Sequence, residues 1–344
     1  MKFVLRLGIF LALLALTVSL AASAQTNYQV LDKKVLGGEG GWDYLTIEPK
    51  SHRLFITRHD HVMVVDTESG KQIADIPKTL GVHGVALALD EDRGYSSNGG
   101  ENTVTTFDLA NFKILHETEV GKRPDAIIYD DHSKRVFTFN AGTQDTTSLS
   151  IDESKVVGTL PLGGKPEFAA SDGKGKIYVN IEDKSELVEF DAEKLKIKNH
   201  WKLAPCEEPT GLSIDREHHR LFVGCGNKMM AVVNGDNGKV ITTLPIGEGV
   251  DATAFDPETK LAFASCGRDA VLTIVHQDSP DKYSVAQNVQ TERGARTMAL
   301  DPITHKVYLV TAQFGPPPAA TAENPHPRPS IVPGTFELIV VGPK

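Results

Sequence analysis

Cysteine is scarce, tryptophan scarcer, and beyond residue 24 no apolar run approaches the roughly 20 residues that a membrane-spanning helix needs. Three cysteines, Cys206, Cys225 and Cys266, are too few and too odd in number for a disulfide framework, so at most one internal bridge forms. Helical periodicity is nearly missing after Ala24, which excludes a helical bundle. Also missing are G-x-S-x-G, H-E-x-x-H, a phosphate-binding loop and C-x-x-C-H, so no diagnostic catalytic motif or covalent haem attachment is written in the chain. Basic charge is in deficit, with 36 Lys+Arg against 45 Asp+Glu. Such a balance repels phosphate backbones and excludes nucleic acid as a partner.

One apolar run does occur, at the very start. Lys2 and Arg6 precede LGIFLALLALTVSLA, which leads into Ala22-Ser23-Ala24. This is the pattern of a secretory signal peptide, 1–24, with cleavage after Ala24 and a periplasmic or secreted product. Removing Lys2 and Arg6 leaves 34 basic residues against the same 45 acidic ones, a formal charge of −11. Residues 25–344 exceed the size at which one compact core usually stops growing, so a single domain here must add core in repeated units.

Repeats of about 40 residues supply those units. A first strand and turn recur as WDYLTIEP, HGVALALD, DAIIYDD, EFAASDG, TGLSIDR, DATAFDP and RTMALDP. Each is followed by a second short strand (RLFIT, RGYSS, RVFTF, KIYVN, RLFVG, LAFAS, KVYLV), and most by a third and a fourth. Runs that are β-branched or alternating, punctuated by Gly, Pro, Asp and Asn, predict an all-β chain. Seven four-stranded repeats predict a seven-bladed β-propeller closed into a ring. The last repeat ends at FELIVVGPK without a fourth strand, while YQVLDKKVLGG at the start has fourth-strand character, so Tyr28 to Leu36 is expected to complete blade 7. The stretches NxxxNTVTTFD in blade 2 and YVN in blade 4, with G-x-P-D or G-x-x-G openings, resemble the YVTN-repeat, YncE-like β-propellers. That resemblance implies the fold over nearly the whole mature chain and leaves the activity open.

Strand alternation then sorts side chains by face. The entry of each inner strand gives one polar residue per blade: Asp43, His83, Asp125, Glu167, Thr210, Asp251 and Arg296, spaced 40 to 45 residues apart. These seven are expected to ring the channel mouth on one face, termed upper. Arg296 has acidic neighbours in Asp251 and Asp43, an arc that reads as a structural salt bridge. Asp125 and Glu167 meet without an arginine between them, so they are the candidate metal ligands, for Ca²⁺ or Mg²⁺, with His83 beside them. Loops on the same face are expected to present Arg58, His59, His61, Asn98, Asn140, Asn180 and Arg268. A proline-rich stretch, GPPPAATAENPHPRPSIVPG, reads as a rim bearing His326 and Arg328. Histidines in the opposite turns, His52, His132, His218, His219 and His305, read as solvated hairpin tips. Cys206–Cys225 is the favoured disulfide, because Cys206 precedes the inner strand that pairs with the Cys225 strand.

Two functional readings follow. The first is an exported, noncatalytic binding or scaffold propeller that engages a small ligand, a cation or a protein partner, acts as a monomer and needs no cofactor. The second is a divalent-metal-dependent hydrolase or lactonase whose carboxylates hold the ion at the channel mouth. A cofactor or electron-transfer role ranks last. Export makes an immediate prediction: the N-terminal residue of the processed protein, read by Edman degradation or mass spectrometry, is Gln25.

Overall fold

A computed structural model describes residues 27–152, 154–319, 321, 327 and 329–344. The expected signal peptide lies outside the described residues. Seven four-stranded antiparallel sheets make up the fold, each running inner to outer in chain order. The exception is blade 7, whose inner three strands (Met298–Asp301, Lys306–Thr311 and Glu337–Pro343) come from the C-terminal end of the chain. Its fourth strand is Tyr28–Val35, paired antiparallel from Tyr28 opposite Pro343 to Val35 opposite Glu337. The ring closes as the repeat pattern predicts.

Alternation explains why the blades stack. Successive side chains in a strand point to opposite faces, and each face of these central strands is apolar. Leu54 and Ile56 of blade 1 pack against blade 7 residues Tyr308 and Val310, whereas Phe55 between them packs against Val85 and Phe107 of blade 2. Seven buried clusters result, one at each interface between neighbouring blades. Outer strands such as Ile114–Glu119 are largely exposed and carry charge, which protects their free edges from pairing with another chain.

The lower turns are built on aspartates that end the inner strands. Asp130, Asp215, Asp256 and Asp301 are buried, and each accepts backbone N–H groups of its own turn, as Ile303 donates to Asp301 at 2.8 Å. His52 and His132 are solvated as expected, but three of the histidines there are held more firmly than solvated tips would be. His218 pairs with Asp215 at 2.8 Å, His219 with Asp236 at 2.8 Å, and His305 with Asp256 of the preceding blade at 2.7 Å. They act as fasteners between turns and blades. Cys206 and Cys225 are bridged, with Cα atoms 5.4 Å apart, and Cys266 is a buried free thiol.

Tyr28 fastens the closing strand. Its ring is 5% exposed and lies 5.4 Å from Phe263 of blade 6, its hydroxyl donates to the His305 carbonyl at 2.9 Å, and its backbone exchanges two hydrogen bonds with the Gln287 side chain. Tyr28→Ala is expected to cost about 3 kcal/mol, as loss of a buried aromatic does. A chain starting at Gly40 should lose more, melting several degrees below one starting at Gln25 in a calorimetric scan; equal midpoints would refute the closure.

Candidate functional site

Inner strands carry a bulge at their entry. In blades 2 to 6 the pairing register slips just where the ring residue stands: between Val82 and Gly84, Pro124 and Ile127, Pro166 and Ala169, Pro209 and Leu212, and Val250 and Ala252. A bulge inserts an unpaired residue and re-aims its side chain. His83, Asp125, Glu167, Thr210 and Asp251 therefore turn out of the sheet toward the channel, while Asp43 and Arg296 precede the shorter inner strands of blades 1 and 7. The backbones of Asp43, His83, Asp125 and Arg296 are pinned by hydroxyls of the preceding blade. Thr57 donates to the His83 carbonyl at 2.9 Å, Thr297 to that of Asp43 at 2.7 Å, and Ser97 to that of Asp125.

The ring divides into two sectors that share Asp43. On one side Arg296 donates through Nε to Asp251 Oδ2 at 2.8 Å and through Nη2 to Asp43 Oδ1 at 3.5 Å, and its guanidinium lies 5.7 Å from the Trp42 ring. On the other side His83 Nδ1 lies 2.6 Å from Asp43 Oδ2 and 3.6 Å from Asp125 Oδ1. Thr210 is used internally, donating to the Val250 carbonyl at 3.0 Å. Glu167 is buried, and Lys165 Nζ lies 3.2 Å from its Oε2 while also pairing with Glu182.

Burial, with the surplus of carboxyls next, raises the pKa of Glu167, Asp251, Asp125 and Tyr44, whereas His83 is raised by its acidic neighbours against burial. Burial, with the Asp125 charge next, pushes Glu167 up to about 8. Burial raises Asp251 to about 6 against the pull of Arg296. Asp125 is raised by burial, although His83 opposes this. For His83, burial disfavours the imidazolium, but the Asp43 hydrogen bond and the Asp125 charge outweigh it and the pKa rises. Tyr44, which follows Asp43, is pushed well above its ordinary value by burial and by all four carboxylates. Its ring meets Phe168 of blade 4 edge-on at 5.0 Å and packs with Ala126 and Ala169, so it reaches across the bore and plugs it beneath the ring.

Several expected loop residues prove to be internal. Asn98 is buried, donating to Thr105 at 2.8 Å; Asn140 donates to Asp145 at 2.6 Å; Asn180 donates to the Thr210 carbonyl at 2.8 Å. A buried amide needs partners, and the N–H groups of these amides find theirs within or between blades rather than on the face. Arg58 is 1% exposed and lies 3.6 Å from the Phe336 ring centre, donating to the carbonyls of Gly37, Glu39 and Gly41; burial lowers its pKa to about 10. It clamps the segment between the closing strand and blade 1. His59 is exposed, His61 sits against Asp60 at 2.8 Å, and Arg268 is exposed against Glu248 at 2.9 Å. His326 and Arg328 lie outside the described residues.

Sequence reasoning missed a cavity of about 670 Å³ on the Arg296 side, lined among others by Trp42, Asp251, Arg268, Arg293, Arg296 and Phe314. Trp42 is 7% exposed, and its buried indole N–H has no acceptor among the described residues. Phe314 and Ile331, joined by an isolated bridge, bring the described ends of the proline-rich excursion to the cavity wall. Lys165 and Tyr44 were also missed; Lys165 was visible in GGKPEF, two residues before the ring position.

These features define a seven-bladed propeller with a plugged bore, a charged orifice and a cavity beside it. Neither family models nor curated sequences match the chain. Among solved structures it is similar to a chain of Kuenenia stuttgartiensis hydrazine synthase, at 15% identity and a TM-score of 0.71, over 80% of this chain and 94% of that one. That likeness carries the fold alone.

The shifts make a prediction about pH. A carboxyl whose folded pKa is raised favours the neutral form, so its contribution is full below the unfolded value near 4.5 and is lost as pH rises through about 8. Between those values Glu167 should make stability fall steadily as pH climbs. Urea denaturation of wild type and Glu167→Gln at pH 5, 7 and 9 should show the variant gaining relative stability with pH; parallel curves would contradict it.

Proposed function

We propose that this chain is an exported, noncatalytic binding propeller of the YVTN-repeat, YncE-like kind, whose upper face takes a small organic anion. The observation that carries this reading is the cavity beside the orifice. Its volume falls in the range of small-molecule sites. Arg268, Arg293 and Arg296 supply forked donors suited to a carboxylate, and Trp42 and Phe314 supply apolar wall for the body of the ligand. Arg296 is already neutralised by Asp251 and Asp43, and Arg268 by Glu248. Arg293 is exposed and makes no ion pair among the described residues, so it is the cation best placed to meet an incoming charge.

A panel of aliphatic and aromatic carboxylates, screened by thermal shift, tests this. A binder present at 100 times its Kd should stabilise the protein by about 2.7 kcal/mol, and Arg293→Glu should weaken it at least tenfold while leaving the midpoint of the free protein unchanged. No response to any carboxylate, or a response that survives the charge reversal, would end the reading.

The runner-up, a divalent-metal-dependent hydrolase or lactonase, is favoured by the closeness of Asp43, His83 and Asp125. An ion held there would polarise a carbonyl and activate water. Metal-stimulated turnover of lactones or simple esters distinguishes it from binding alone.

A further inference from the structure

We infer that Asp43, His83 and Asp125 form a site for one borderline divalent metal ion, zinc foremost. This deepens the reading of the orifice as the binding site, but it uses the sector opposite the arginine-lined cavity.

Geometry is the first argument. One donor atom from each of the three residues lies within 4.8 Å of the other two. Bonds of about 2.0–2.2 Å to zinc in a tetrahedral arrangement set donor atoms roughly 3.3 Å apart. The present separations from His83 Nδ1, 2.6 Å to Asp43 and 3.6 Å to Asp125, straddle that value, so side-chain adjustments of under about 1 Å bring both oxygens to it. Nothing larger is needed, because the three backbones come from consecutive blades and are each tied down by a hydroxyl of the blade before. Rigid support of that kind is what a metal site requires.

Unsatisfied charge is the second argument. His83 Nδ1 is within hydrogen-bond reach of Asp43 alone, and the Asp125 carboxylate accepts no hydrogen bond among the described residues. On the next blade Glu167 is 8% exposed, and its Oε2 has no hydrogen-bond partner even though Lys165 stands 3.2 Å away. Asp43, Asp125, Glu167 and Asp251 face only Lys165 and Arg296 as fixed cations. With four acidic side chains against two fixed cations, the partly buried mouth has the composition that suits a divalent ion.

The donor set selects the ion. Ca²⁺ and Mg²⁺ take oxygen ligands, whereas an imidazole with two carboxylates suits zinc and its first-row neighbours. This assignment differs from the Ca²⁺ or Mg²⁺ site expected at Asp125 and Glu167 both in its ligands and in its ion. The side chains of His83, Asp43 and Asp125 are 37%, 19% and 19% exposed, so coordination positions stay open toward the orifice. Asp43 offers Oδ2 to this sector and Oδ1 to Arg296, which sets a ligand carboxylate in the cavity next to the ion.

Calorimetric titration of untagged, chelator-stripped mature protein with Zn²⁺, Mn²⁺, Ca²⁺ and Mg²⁺ tests the assignment. Zinc is expected to bind one ion per chain, at least 100-fold tighter than Ca²⁺, and His83→Gln and Asp125→Asn should each weaken it at least tenfold with unchanged far-ultraviolet dichroism. Should a variant fail to fold, X-ray absorption of the zinc-loaded wild type decides: nitrogen and oxygen donors with one imidazole support the site. Thiolate or imidazole-free scattering, no stoichiometric binding, a preference for Ca²⁺, or wild-type affinity in both folded variants overturns it. Arg293→Glu should leave zinc binding intact, so failure of the carboxylate reading and failure of this one are told apart.

Discussion

Closure of the ring by Tyr28–Val35 is the constraint from which the rest of the molecule follows. A blade buries both faces only if it has a neighbour on each side, and an open array would leave the apolar faces of its two terminal blades in water. Pairing the first strand with Glu337–Pro343 lets the seven interfaces form one cycle. The same closure fixes the diameter of the bore, and so brings residues 253 positions apart, Asp43 and Arg296, to 3.5 Å. No local contact could produce that meeting.

Within the closed ring, one local device makes the orifice chemical. Regular pairing would leave the entry residue of an inner strand lodged against a neighbouring blade, where a carboxylate would be costly. The bulges at the entries of blades 2 to 6 free that residue, and in blades 2, 3 and 5 its carbonyl stays bound to the preceding blade. The carboxylates are then close together yet only partly hydrated. The raised pKa values of Asp125, Glu167 and Asp251 are the electrostatic signature of that burial and crowding, and such perturbation is characteristic of functional clefts as well as of structural ion networks.

Periodicity made the fold legible because each blade repeats the same two-residue alternation and four blades repeat the same aspartate-anchored turn, and because the missing fourth strand of blade 7 had a visible substitute at Tyr28. The seven ring residues were legible for the same reason: one position per repeat must map to one height on the axis. What the sequence did not disclose depended on rotamers and on contacts across the bore. Asn98, Asn140 and Asn180 sit in polar loops by sequence, yet their amides turn inward to Thr105, Asp145 and the Thr210 carbonyl. Tyr44 looked like part of an ordinary strand, and only the ring's width shows that it meets Phe168 on the far side. The cavity beside Trp42 is assembled from blades 1, 4, 6 and 7, a combination that no single repeat encodes.

Arg296 explains why the orifice is asymmetric. It is the one cationic ring member that keeps its charge at every ordinary pH, for although burial opposes the guanidinium, Asp251 and Asp43 raise its pKa further. Its neutralising power reaches only the adjacent blades, and Asp125 and Glu167 lie beyond them. A second arginine there would have compensated the far sector and closed it to a cation, as the first has done on its own side. In place of that arginine stand His83, whose imidazole is a ligand as readily as a base, and Lys165, whose ammonium is shared with Glu182. The ring is thus saturated on one flank and electrostatically incomplete on the other, and Asp43, bonded to both Arg296 and His83, is the residue through which occupancy of either flank would be felt by its opposite.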